Sequence, residues 1–147
     1  MAHTKLPPIP FRVRIGVTGH RKLERESEVR AAVQQVLSEE IEKLFDDESR
    51  KFMAVAVNTP LRFSVVTALA EGADQLVAEE ILSLAGATLS AVLPLEQSEY
   101  LATIISPAGK ATFPRLLEYD RNPKRLQSSL FASTAQPIGT KIILYLV

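Results

Sequence analysis

Val13, Ile15 and Val17 alternate through Phe11-Arg-Val-Arg-Ile-Gly-Val-Thr18, the two-residue period of a strand. The next segment repeats its apolar positions at three- and four-residue steps: Val29, Ala32, Val33, Val36, Leu37, Ile41, Leu44 and Phe45. That spacing predicts a helix from about Glu28 to Phe45, with Ser27 as its N-cap. Asp46 to Pro60 is polar, then weakly apolar, and reads as a loop or a ragged helix end. Arg62-Phe-Ser-Val-Val-Thr67 reads as a second strand, Gln75 to Ala85 as a second helix stopped by Gly86, and Thr88-Leu-Ser-Ala-Val-Leu93 as a third strand ended by Pro94. Strands alternating with helices predict βαβ units around a mostly parallel sheet, hence an α/β, three-layer, Rossmann-like domain.

The remaining third is less periodic. Glu96 to Ile105 and Ala111 to Tyr119 read as short helices, and Asn122 to Thr140 has no firm period. Lys141-Ile-Ile-Leu-Tyr-Leu-Val147 reads as a last strand. Pro7, Pro8 and Pro10 make the leader extended. A chain that closes on an apolar strand is expected to be a single domain spanning residues 1–147, cut short at its C-terminal end.

Length and composition narrow the classes. With 147 residues, 46% of them hydrophobic, the chain is long enough for one domain with a real core and too apolar to be disordered. Seventeen Lys and Arg balance seventeen Asp and Glu, which argues against a general polyanion binder but leaves room for a local basic site. The absence of Cys excludes a disulfide framework, a thiol nucleophile and Cys-based zinc. With only His3 and His20 as imidazoles, no metal site is expected, nor any cofactor. There is no signal-peptide run and no apolar stretch long enough to span a bilayer, so a cytoplasmic protein without membrane partners is expected.

In open parallel sheets ligands bind beyond the carboxyl ends of the strands, near the reversal of strand order. Two loops leave such ends with unusual residues. In Gly16-Val-Thr-Gly-His-Arg21, Gly19 permits a tight turn and close approach, Thr18 adds a hydroxyl and Arg21 a forked cation, together a phosphate cradle. The alternative is a glycine-containing turn with a solvated Arg. His20 reads first as a polar turn residue and second as a ligand contact or proton carrier. In Glu71-Gly-Ala-Asp74, Asp74 reads as an N-cap, Gly72 takes a backbone shape denied to other residues, and Glu71 is either an exposed acid or an acceptor for ribose or base. The helix that follows offers free N–H groups to an anion. Glu39-Glu40 and Asp46-Asp47-Glu48 read as solvated faces, and Arg121, Lys124 and Arg125 as a small basic cluster without aromatic interleaving. GxGxxG, a Walker loop and a G-x-S-x-G elbow are all missing, and no catalytic residue is assigned.

Ile15-Gly-Val-Thr-Gly-His-Arg21, Val65-Val-Thr-Ala-Leu-Ala-Glu-Gly-Ala-Asp74, Leu76-Val-Ala-Glu-Glu80, Ala91-Val-Leu-Pro-Leu95 and Glu99-Tyr-Leu101, in this order, resemble the SLOG superfamily. These are Rossmann-like domains related to Smf-type DNA-processing and Lonely-guy proteins, and the likeness is to the bacterial branch that begins with a G-x-T-G-H-R loop. It covers residues 12–105. The resemblance implies binding or sensing of a nucleotide or nucleotide-derived molecule, with Gly16, Thr18, Gly19, Arg21, Glu71, Gly72 and Asp74 at the site, beside which His20 stands as a candidate ligand contact. It also implies a possible homo-oligomer or a fused effector domain. Two alternatives come with it: a phosphoribohydrolase-like enzyme that cleaves the N-glycosidic bond, and a single-stranded DNA-binding module, disfavoured by the neutral charge. The family's later glycine-rich loop with its Glu is absent, and Ile138-Gly-Thr140 does not replace it, which weighs against catalysis.

Overall fold

The computed structural model describes residues 9–52, 56, 59–120, 124–125 and 141–145. The elements run β1 (Phe11–Thr18), α1 (Glu26–Phe45), α2 (Asp47–Phe52), β2 (Leu61–Thr67), α3 (Ala73–Leu82), β3 (Thr88–Leu93), α4 (Gln97–Thr103), α5 (Pro107–Leu117), β4 (Lys124–Arg125) and β5 (Lys141–Tyr145). The sheet order is β4-β3-β2-β1-β5, and every neighbouring pair is parallel. This is an α/β fold with a Rossmann-like strand order. From β1 to β4 the chain steps steadily across the sheet, so right-handed crossovers put the connecting helices on one face. Accordingly α1 and α5 both pack on α3, which itself lies on β1, β2 and β3. The reversal after β4 is what gives a doubly wound sheet a second helical face; residues 126–140, which join β4 to β5, lie outside the described residues.

The core sits between that helical layer and the sheet. Val13, Ile15, Val65, Leu89, Ala91 and Leu93 from the strands meet Val33, Leu37, Leu76, Val77, Ile81, Phe113 and Leu116 from the helices. Two-residue alternation supplies the first set and helical spacing the second.

Several boundaries differ from the sequence expectation, each for a local reason. α1 begins at Glu26 behind Arg25, which makes no side-chain cap, so Ser27 is inside the helix and not its N-cap. Asp46 to Pro60 contains α2, started by Asp46, whose carboxylate accepts the Ser49 N–H at 2.9 Å. Burial of Arg50, which donates to the Leu44 and Ala56 carbonyls at 3.0 Å each, ties this turn to the end of α1. α3 begins at Ala73 and ends at Leu82; Gly72 occupies the N-cap position, so Asp74 is a first-turn residue and not the cap. α5 starts four residues before Ala111 because Ser106 is its cap, accepting the Gly109 N–H at 3.1 Å, with Pro107 preset for the first turn. Glu39, Asp46, Asp47 and Glu48 are exposed, as a solvated face requires. The extended leader up to Pro8, the side chains of the Arg121, Lys124 and Arg125 cluster, and the end of the last strand at Leu146 and Val147 lie outside the described residues.

Candidate functional site

Strand order reverses between β1 and β5, so the crevice of this sheet opens at the carboxyl end of β1. Thr18 closes that strand, and Thr18, Gly19, His20 and Arg21 are all exposed there. The loop is held in place by the start of α3. The Ala73 N–H donates to the His20 carbonyl at 3.0 Å. Gly72, at φ +88°, lies so close that a Cβ on it would stand 2.4 Å from the carbonyl oxygens of both His20 and Arg21. Gly72 is therefore required for loop-on-loop packing, whichever ligand the loops receive.

Arg21 reaches across the strand ends. Its Nη1 donates to the Thr103 carbonyl at 3.2 Å, and it hydrogen-bonds Tyr100. Tyr100 is buried, stacked obliquely on Phe113 with centroids 5.8 Å apart, and burial pushes its phenol pKa up. Glu71 is 8% exposed and both its oxygens are engaged, one by the Ile105 N–H at 3.1 Å and the other by the Ser106 N–H at 2.9 Å. Those two backbone donors, with Arg21 nearby, hold its carboxyl below the ordinary range. The Glu71 carboxylate thus fastens the turn between α4 and α5, and Gly109 in the first turn of α5 lies so close that a Cβ on it would stand 2.9 Å from the Glu71 Cβ.

Asp74 is buried beneath the loop. It accepts the Thr67 hydroxyl at 3.0 Å and the backbone N–H groups of Ala70 and Ala68. Burial outweighs these bonds and the Arg21 charge and pushes its pKa up. Between Thr67 and Asp74, Leu69 adopts φ 57°, a strained backbone for a branched residue. It is held there by its own burial, by its N–H to Thr67 Oγ1 at 3.0 Å and by Gln75 Nε2 to its carbonyl at 3.2 Å. Gln75 also donates to the Gly109 carbonyl at 3.1 Å, so one buried amide joins the β2–α3 loop to α5.

Beside these loops a groove of about 540 Å³ opens between the start of α1, α3 and α5. Arg21, Glu71 and Gly72 line it; Gly16, Thr18, Gly19, His20 and Asp74 do not. Arg30 and Glu79 form its far wall, with Arg30 paired to Glu79 at 3.0 Å, to Glu26 at 3.3 Å and to Glu80, and Arg115 paired to Glu79. These carboxylates, Glu79 first, hold the Arg30 guanidinium more firmly protonated than usual.

Seven of the eight residues singled out from the sequence gather at the strand ends, some exposed and some committed to holding the loops together. Gly16 departs from the group: it is a residue of β1, paired in register with Val66, on the opposite face of the sheet. Tyr100, Thr103, Gln75 and Leu69 were missed. Tyr100 was visible only within Glu99-Tyr-Leu101; Gln75 carries no local signal because its role depends on Gly109 in α5, and the backbone shape of Leu69 depends on Thr67 and Gln75. Among the described residues no group of three or more His, Asp or Glu could hold a metal, and no helix is long and apolar enough to cross a membrane. No family model matches the chain, and no curated protein matches it.

Proposed function

We propose that this chain is a SLOG-like cytoplasmic domain that binds a nucleotide or nucleotide-derived small molecule at the strand ends, as a sensor more than as an enzyme. The observation that carries the reading is the exposed Thr18-Gly19-His20 turn at the strand-order reversal, fixed backbone to backbone on Gly72 and Ala73. A loop held in this way offers its hydroxyl, imidazole and N–H donors to an anion without further ordering. Arg21 contributes a guanidinium that rests on Thr103 and Tyr100 and can be drawn toward phosphate. Against turnover stands Glu71, the carboxylate a hydrolase reading would use, since both its oxygens already accept backbone N–H groups.

The test is titration of adenosine and guanosine monophosphates, and of the matching nucleosides, against wild type, Thr18→Ala and Arg21→Ala, with a melt of each protein. Arg21→Ala is expected to weaken a nucleotide roughly tenfold to hundredfold and the nucleoside much less, by loss of a charge-assisted hydrogen bond. It should also lower Tm slightly through the lost Thr103 contact. Thr18→Ala should weaken the nucleotide by roughly twofold to tenfold. Equal losses for nucleotide and nucleoside would remove Arg21 from phosphate contact, and no nucleotide binding by wild type would overturn the reading. Release of free base dependent on Glu71 would replace it with N-glycosidic hydrolysis, and salt-sensitive binding of single-stranded DNA but not of mononucleotides with the Smf-type alternative.

A further inference from the structure

The face of the sheet turned away from α1, α3 and α5 has its own chemistry. Arg12, Arg14 and Gly16 of β1, Arg62, Ser64 and Val66 of β2, and Thr88 and Ser90 of β3 share it by two-residue alternation. The parallel register arranges them in rows: Arg12 beside Arg62, Arg14 beside Ser64 and Thr88, Gly16 beside Val66 and Ser90. Neighbouring strands lie about 4.8 Å apart and successive same-face residues about 6.6 Å apart, so the three arginines leave the sheet from adjacent positions on one face. A pocket of about 340 Å³ lies over them, lined by Arg12, Arg14, Arg62, Ser64, Thr88 and Ser90 among others, and no Asp or Glu is among its lining residues.

Like charges directly opposite on adjacent strands oppose sheet formation. Arg12 and Arg62 form no ion pair among the described residues; the nearest acceptor of Arg62 is the carbonyl of Leu61, at 3.4 Å from its Nη1. In a chain of zero net charge, Arg12 and Arg62 thus set two cations without a carboxylate partner among the hydroxyls of Ser64, Thr88 and Ser90. Guanidinium forks and hydroxyls together fit the oxygens of phosphate. The size of the pocket suits a small molecule, and the neutral surface beyond it does not suit a long polyanion.

We propose that this pocket is a second anion site, which takes a small ligand bearing a pyrophosphate-type group, with Arg12 and Arg62 gripping the two phosphates and Ser64, Thr88 and Ser90 donating to their oxygens. It shares no residue with the proposed nucleotide site at the strand ends and stands whether or not that site exists. Calorimetric titration of inorganic pyrophosphate into the full chain tests it. Wild type should bind, and Arg62→Ala and Arg12→Ala should each weaken binding roughly tenfold or more, since each removes a charge-assisted contact. Ser64→Asp, which sets a carboxylate among the arginines, should abolish binding while the protein remains folded by circular dichroism. Thr18→Ala and Arg21→Ala should leave it unchanged. Absence of pyrophosphate binding by wild type would overturn the proposal. So would binding lost in Thr18→Ala or Arg21→Ala but kept in Arg62→Ala, which would place pyrophosphate at the strand ends. Arg62-dependent binding of an oligonucleotide without binding of pyrophosphate would overturn it in favour of a nucleic-acid backbone.

Discussion

Val13, Ile15, Val65, Leu89 and Ala91 leave the sheet on one side and are at most 5% exposed, whereas Arg12, Arg14, Arg62 and Thr88 of the same strands leave it on the other and are exposed. The same three strands therefore present an oily face and a basic, hydroxyl-rich one. Parallel strands in α/β folds are ordinarily apolar on both sides because helices cover both. Here a strict two-residue alternation persists in β1, which marks one face as built for polar company. The strand ends form a third environment between these extremes: Glu71, Asp74, Thr67 and Gln75 are polar yet buried, and each is hydrogen-bonded. Arg12, Arg62 and Thr88 on the polar face are exposed, while the polar groups under the loops are engaged in holding the loops in place.

The sharpest way to break this contrast is to put the same charge on both faces. Val65→Asp buries an unpaired carboxylate at a fully enclosed position and should cost more than about 4 kcal/mol, enough to unfold a domain of this size, as read in a urea melt. Near-wild-type stability of Val65→Asp would show that the oily face is not the core.

Gly72→Ala probes the strand ends. A side chain there meets two carbonyl oxygens at 2.4 Å and must be carried at φ +88°. The expected loss is about 3 kcal/mol from backbone strain and displacement of the first loop. Amide exchange should rise first at Ala73, whose N–H bond to His20 depends on the contact.

Glu71→Gln should cost about 1–2 kcal/mol near neutral pH, because its amide nitrogen must face a backbone donor. The pH dependence carries the sign. The folded-state pKa of Glu71 is held below its ordinary 4.5, so its contribution is present above that value and is lost as pH falls through the lowered one. The gap between wild type and Glu71→Gln should therefore close below about pH 4.5, as measured by chemical melts across pH. Asp74 acts oppositely: its pKa is raised above 3.8, so its ionisation opposes folding as pH rises through that region. An acid limb unchanged by Glu71→Gln would assign the acid loss to other carboxylates.

Ser64→Asp has the smallest effect. One residue from Val65 and facing the arginines, it should change stability by about 0.5 kcal/mol or less, in the stabilising direction, by giving Arg12 and Arg62 a counter-charge. A large destabilisation would mean that this face is as closed as the other.

The chain itself determined the alternation of strands and helices, the parallel α/β class and the two loops that leave the strands, because periodicity two and periodicity 3.6 are written in consecutive residues. Thr88–Leu93 was legible to the residue, bounded by Gly86 and Pro94. Helix starts were less so: Asp74 and Ser27 have the composition of caps, but Gly72, packed on the first loop, and Arg25, whose carbonyl accepts the Glu28 and Val29 N–H groups, hold those positions. The candidate site divides in the same way. Thr18, Gly19, His20 and Arg21 could be found from residue type, since a glycine turn with donors at a strand end is a local pattern. What Glu71 and Gly72 do could not, because their partners are 34 or 35 and about 50 residues away, at Ile105 and Ser106 and at His20 and Arg21. The arginine pocket belongs to the same class. Arg12 and Arg14 are visible as the polar half of an alternating strand, but only the register of β1 against β2 brings Arg62 beside Arg12, and no reading along a single strand contains that registry.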